Sequence, residues 1–165
     1  MGLVKFRFEV ANEVQFSRAF ETAIAKYLNM EEPFGLMAED FYQTMGRIFS
    51  AEGAFEERGK WQDLSPAYAR WKQKHYPGRK ILELTGRMKL SLVARGSSEN
   101  VTQITSTEMA LGTVVPYAIF HQKGTPNMPM RKVIEITSEE KLRWVQIMHK
   151  YMVDVNKTIS DVSRS

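Results

Sequence analysis

Residues 100–114 read Asn-Val-Thr-Gln-Ile-Thr-Ser-Thr-Glu-Met-Ala-Leu-Gly-Thr-Val, and this stretch decides the fold class. β-Branched residues dominate it, which predicts two short strands near 100–106 and 109–114. Set among segments that read as helices, these strands make the chain α+β. Downstream, Pro116 opens a short helical turn through Tyr117, Ile119 and Phe120, and Gly124-Thr125-Pro126-Asn127 is a loop. Lys132 to Ile136 reads as a further strand. Thr137 and Glu140 then stand at capping-box spacing. Leu142, Val145, Met148, Met152, Val155 and Ile159 recur at three and four residues, the apolar stripe of a long C-terminal helix.

Upstream of the strands, Thr85-Gly86 precedes a short helix with Met88, Leu92 and Val93 as its apolar points. Ser65-Pro66 is a helix start, serine at the N-cap and proline at the first helical position. That helix ends by His75, before Tyr76-Pro77-Gly78. Arg58-Gly59-Lys60 is a loop. A helix over Leu36 to Glu57 places Met37, Phe41, Met45, Ile48 and Phe49 at helical spacing, and Gly46 and Gly53 weaken it. Asn29 to Gly35, with Pro33, is a break. An earlier helix starts from Asn12, with Gln15 in capping-box position, and runs to Leu28 on a stripe of Phe16, Phe20, Ala23, Ile24, Tyr27 and Leu28. Residues 3–10 alternate apolar and charged side chains as a strand does. There is no internal repeat and no linker. The expectation is one domain over residues 1–165: several helices packed on a small, mostly antiparallel sheet, closed by the long C-terminal helix.

The 165 residues suit a single domain. Absence of cysteine removes disulfides and every thiol-based site. Hydrophobic residues at 43% and charged residues at 25% are ordinary for a globular chain. The apolar runs are too short for a membrane span, so no membrane partner is expected. Met1 to Arg7 alternates apolar and basic residues and does not read as a signal peptide. The net charge of +4 is mild. Its densest positive cluster is Arg70, Lys72, Lys74, Arg79 and Lys80, interrupted by Trp71 and Tyr76. These five are the candidate DNA-facing residues; the competing reading is a solvated helix face running into a loop.

Catalytic patterns are missing. His75, His121 and His149 do not stand at metal-binding spacing. No glycine-framed serine is present, and Gly78-Arg79-Lys80 lacks the leading glycine and trailing hydroxyl residue of a phosphate loop. Glu31-Glu32, Glu39-Asp40 and Glu56-Glu57 are adjacent pairs, which point apart on a helix. Glu139-Glu140 suits the positive end of a helix. The expectation is a protein that is not an enzyme and holds no metal or cofactor.

Two stretches are too irregular to be only core and caps. In the first, Trp61 and Leu64 precede Ser65-Pro66-x-Tyr68, followed by Ile81-Leu82 and Thr85-Gly86. In the second, Tyr117-Ala118, His121-Gln122 and Gly124 lead to Pro129-x-Arg131. In order and spacing these closely resemble the phage virion morphogenesis family, whose members are described as tail-completion or head–tail joining proteins. The resemblance covers roughly Phe49 to Ile136. It departs at Arg131-Lys132-Val133-Ile134, where the family tends to place a proline and a phenylalanine.

The resemblance implies a structural virion protein that joins head to tail or finishes one end of the tail. Such parts form rings of six- or twelve-fold symmetry around the DNA channel, touching neighbouring connector and tail proteins. The station implied is the neck of the virion, with assembly in the bacterial host cytoplasm. A ring needs two different patches per subunit. Candidate interface residues are Tyr117, His121, Gln122 and Arg131. Tyr117 and His121, four apart, share a face of a helical turn. His121 serves either a structural hydrogen bond or a subunit contact, and Arg131 either a buried carboxylate or an interface clamp. Trp61 and Trp71 are expected to anchor the core. The alternative function is a DNA-binding accessory protein of phage assembly that uses the basic 70–80 stretch.

Overall fold

A computed structural model describes residues 13–162. Among them lie α1 (Glu13–Leu28), α2 (Glu31–Ser50), α3 (Pro66–His75), α4 (Arg87–Val93), β1 (Asn100–Ile104), β2 (Met109–Thr113), α5 (Ala118–Lys123) and α6 (Ser138–Val162). The class is α+β, as the sequence predicts. The expected strand at 3–10 and the Asn12 cap lie outside the described residues.

The second helix is the axis of the molecule. Met37, Phe41, Met45, Ile48 and Phe49 are all buried along it, as their spacing requires. Its limits differ from the expected Leu36–Glu57. It starts at Glu31 because Pro33 sits in the first turn, where the missing N–H is not needed. The Asn29 side chain accepts the Glu31 N–H at 3.0 Å. It stops at Ser50 because Glu52 and Gly53 turn left-handed, with φ of 51° and 95°. The Gly53 N–H then closes the end on the Ile48 carbonyl at 2.9 Å.

Trp61 anchors the centre. It is buried, donates its indole N–H to the Lys132 carbonyl at 2.8 Å, and meets Phe49 edge-on with centroids 5.5 Å apart. Around it gather Ile81, Met88, Leu92, Val115 and Val133. Trp71 departs from expectation. It is 43% exposed, since its position on α3 lies next to Lys72, which takes the inward place.

The sheet is a two-stranded antiparallel hairpin, registered from Asn100 opposite Thr113 to Ile104 opposite Met109. A polar knot seats it on the helices: the Asn100 amide donates to the Ser91 carbonyl at 2.9 Å, and the Ser91 and Thr113 hydroxyls meet at 2.7 Å.

Lys132 to Ile136 is not a strand. Its apolar pattern is right, and Val133 is buried, but side chains replace the neighbouring strand. The Gln122 amide oxygen accepts the N–H groups of Val133 (2.9 Å) and Ile134 (3.1 Å), while its nitrogen donates to the Ile134 carbonyl at 2.6 Å. Trp61 takes the Lys132 carbonyl and Arg58 that of Glu135.

The capping box at the start of α6 forms as its spacing predicts. The Glu140 N–H donates to the Thr137 hydroxyl at 3.2 Å, and the Thr137 N–H to the Glu140 carboxylate at 2.9 Å. The same Glu140 pairs with Arg58. Arg143, one turn on, reaches Asp40 of α2 at 2.9 Å and Glu56 at 2.6 Å. Beyond this clamp, α1 lies along the C-terminal part of α6, where the Tyr151 hydroxyl donates to the carbonyls of Lys26 and Asn29. The apolar stripes of both helices are only partly covered. Ala23 and Val155 are buried, but Phe20, Ile24 and Leu28 are exposed, as are Leu142 at 62% and Val145 at 64%. The last two lie upstream of the stretch that α1 bonds.

Gly53 carries a positive φ, and a Cβ there would stand 2.7 Å from the Trp61 ring. Gly53→Ala is expected to lower unfolding free energy by roughly 2–4 kcal/mol, from backbone strain and overpacking together. Urea unfolding should show a lower midpoint at unchanged slope; a loss below about 1 kcal/mol would mean that Trp61 is not held as described.

A candidate assembly cleft

Three short pieces of the chain converge on one cleft. Lys72 comes from α3, Leu82 to Met88 from the turn before α4 and its first residues, and Tyr117, Phe120 and His121 from the start of α5, with Met128 across from them. The volume of the cleft is about 500 Å³, and it is open to solvent on one side. Its walls are largely apolar, through Leu82, Leu84, Met88, Phe120 and Met128, with Lys72, Arg87 and His121 as polar groups.

The backbone of this wall is shaped by two left-handed residues, Leu82 at φ 61° and Gly86 at φ 84°. Gly86 suits that region; a leucine there is an outlier. Thr85 helps to start α4, its hydroxyl accepting the Arg87 N–H at 3.4 Å. On the far side, Gly124 ends α5 at φ 73° with its Cβ position 2.9 Å from the Met130 nitrogen. Only glycine lets the 124–131 loop fold back so closely. The Arg131 N–H then reaches the His121 carbonyl at 2.8 Å.

The four proposed interface residues sit together, but mostly serve the fold. Tyr117 and His121 do share a face, edge-to-face at 6.2 Å, and the Arg87 guanidinium lies over the Tyr117 ring at 5.9 Å. Gln122 is spent on the 133–134 backbone as described. Arg131 is buried and forms no ion pair at contact distance among the described residues; it donates to the carbonyls of Gln62 at 2.8 Å and Asp63 at 3.2 Å. The sequence patterns fit these bonds, but backbone acceptors are invisible in a sequence. His121 lacks the expected structural hydrogen bond: its Nδ1 is enclosed and meets no partner among the described residues.

The five basic residues of 70–80 divide. Arg70, Lys74 and Arg79 are exposed. Lys80 is exposed but donates its ammonium to the Ser50 carbonyl. Lys72 is removed from the DNA-facing set: it is only 5% exposed, and its ammonium donates to the Lys80 carbonyl. Between the exposed cations runs an aromatic ridge. Trp71 stacks on Tyr68 (5.5 Å, 20° between planes) and on His75 (5.0 Å, 30°). These rings stack on one another, which leaves less free ring face for a base than an open stacking platform has.

Burial sets the charge state of the cleft. It lowers the Lys72 and Arg131 pKa values from their ordinary ranges. It also lowers that of His121, helped by the nearby Arg131 charge, so the imidazole favours its neutral form. Among the described residues no group of His, Asp and Glu gathers as a metal site requires, and no helix is long and apolar enough to cross a membrane. Arg87 and Leu84 were not singled out from the sequence, because no spacing connects 82–87 with 120–128.

The model of the phage virion morphogenesis family matches residues 11–153. The chain belongs to that family. The match extends beyond the 49–136 stretch whose motifs carry the resemblance, back through α1 and forward over most of α6. This phage virion morphogenesis protein is thus a phage virion assembly protein, associated with the virion. No curated protein and no solved structure matches it.

The buried neutral His121 gives a pH signature. Its folded pKa lies below the ordinary 6.5, so the unfolded chain takes up the proton first as pH falls. The associated stability is present above about pH 6.5 and is lost as pH falls toward the folded value. Urea midpoints measured from pH 7.5 down to 5 should decline less steeply in His121→Gln than in the wild type. Equal declines would show that His121 is not held neutral.

Proposed function

We propose that this protein acts in tail completion and head–tail joining, as a ring component at the neck or at the end of the tail. The observation that carries this is the family match over most of the chain. The surface supports it. Val114, Ile119, Phe120, Met130 and Ile136 are large, apolar and exposed around α5 and the segment that packs beside it. Val114 and Ile119 border a shallow groove with Val115, Val133 and Ile134. Apolar surface of this kind suits burial against other subunits. In this reading the protein works by assembly, without turnover. Its partners are further copies of itself, in a six- or twelve-fold ring, and the adjoining connector and tail proteins. The channel they surround carries DNA, and the site of assembly is the host cytoplasm.

The alternative, a DNA-binding accessory protein, now rests on Arg70, Lys74 and Arg79 beside the aromatic ridge. It requires duplex binding by the free protein that weakens steeply with salt.

Phage carrying a stop codon early in this gene should yield filled heads and separate tails, visible by negative-stain microscopy, with joining restored by the protein supplied in trans. Cryo-EM maps of intact particles should show the chain in a ring at the neck or tail end. Normal joined particles from the mutant, or maps with no density for the chain at those stations, would remove the proposal.

A further inference from the structure

We infer that the cleft between α3, α4 and α5 is a docking site for a protein segment that carries a large apolar side chain next to a carboxylate. The inference rests on the reading of this protein as an assembly part, and names the chemistry of one contact.

The cleft holds one nearly buried cation, Lys72, with no ion-pair partner among the described residues. Lys72 opens onto it and is nearly buried, yet among the described residues its ammonium has only the Lys80 carbonyl as acceptor. Glu52 and Glu83 act on it from beyond ion-pair distance. Each is otherwise engaged, Glu52 by the Ile81 N–H at 2.7 Å and Glu83 by Lys89 at 2.8 Å. Arg131, outside the cleft lining, donates to the carbonyls of Gln62 and Asp63 with the Asp63 carboxylate favouring its charge, and its own charge disfavours protonation of Lys72 and His121. A buried cation without a carboxylate is unfavourable, and most sites neutralise it.

The remaining features suit the rest of the ligand. His121 adds an enclosed Nδ1 with no partner among the described residues. Leu82, Leu84, Met88, Phe120 and Met128 surround space that an aromatic or leucine side chain fills, and two methionines let the walls adapt. Leu82 keeps a left-handed backbone on this wall; such strain is found where a binding surface is being shaped. A nucleic-acid backbone fits poorly, since Lys72 is nearly buried and the walls of the cleft are largely apolar. The charge complementarity therefore favours an acidic, apolar peptide. Arg87, held by Glu99 at the rim with Nε at 2.6 Å, steers the approach.

The test uses the whole free protein and a minimal pair of probes, N-acetyl-phenylalanine as its carboxylate and the uncharged N-acetyl-phenylalaninamide. Methionine-methyl and histidine-ring NMR signals are followed during titration. The carboxylate should shift the Met88, Met128 and His121 signals and bind at least about tenfold more tightly than the amide, as a charged hydrogen bond implies. Lys72→Met should remove that preference. Arg87→Gln, at an exposed position, should weaken it and serves if Lys72→Met fails to fold. Equal binding of the two probes, shifts scattered away from these residues, or a preference unchanged in Arg87→Gln when Lys72→Met is unfolded would overturn the inference. Because the readout needs no particle, its failure leaves the neck or tail-end proposal to be judged by the virion experiments alone.

Discussion

The Trp61 indole is the contact on which the rest of the structure depends. Its ring lies against Phe49 at the end of α2 and fills the space that a Cβ at Gly53 would need, in the turn that ends that helix. Its N–H reaches across to the Lys132 carbonyl, and its own N–H on the main chain donates to the Glu52 carbonyl at 2.8 Å. One residue thereby fixes the end of the central helix, the approach to α3 and the segment before α6. Without a wide sheet, the chain has few ladders to organise its loops. It uses long-range bonds from side chains to backbone instead, and Trp61, Gln122, Arg58 and Arg131 all work in this way.

The second fixed point is ionic. Asp40, Glu56, Arg58, Glu140 and Arg143 join α2, the 56–58 loop and the start of α6 in one network. Arg58 and Glu140 are almost wholly shielded, so each is tolerable only while the other is present. Thr137 and Trp144 donate into the same carboxylates. The network sets the direction in which α6 leaves the body, and so where its exposed Leu142 and Val145 are carried.

Local signals in the sequence proved legible wherever the cause of a structure is local. Ser65-Pro66 sets the start of α3, and Tyr76-Pro77-Gly78 its end. Thr137 and Glu140 cap α6, and the β-branched run at 100–114 makes the hairpin. The failures share a different origin. Pro33 reads as a breaker in isolation, but is harmless in a first turn. Val133 and Ile134 carry a strand pattern, yet the donors and acceptors that satisfy them belong to Gln122, far too short to be recognised as a neighbouring strand. Trp71 and Lys72 are adjacent, and their burial is the reverse of what polarity suggests: the amine is inside and the indole outside. The candidate site was half legible. Its α5 residues and Arg131 stood out by motif, while its other wall, 82–88, comes to it only through tertiary packing.

Two residues near Trp61 bear on how this chain can change over time. Glu52 and Glu56 both occupy the left-handed region, at φ 51° and 55°, where glycine is the least strained choice. The chain keeps glutamates there, and their carboxylates hold the Ile81 N–H and the two arginines of the ionic network. Drift toward glycine would relax the backbone while releasing those partners; drift toward an apolar residue would keep the strain and release them too. Both positions lie in a turn that looks open to variation. Both are bound into the fold by their side chains, so a change at either position acts on the backbone and on distant partners together.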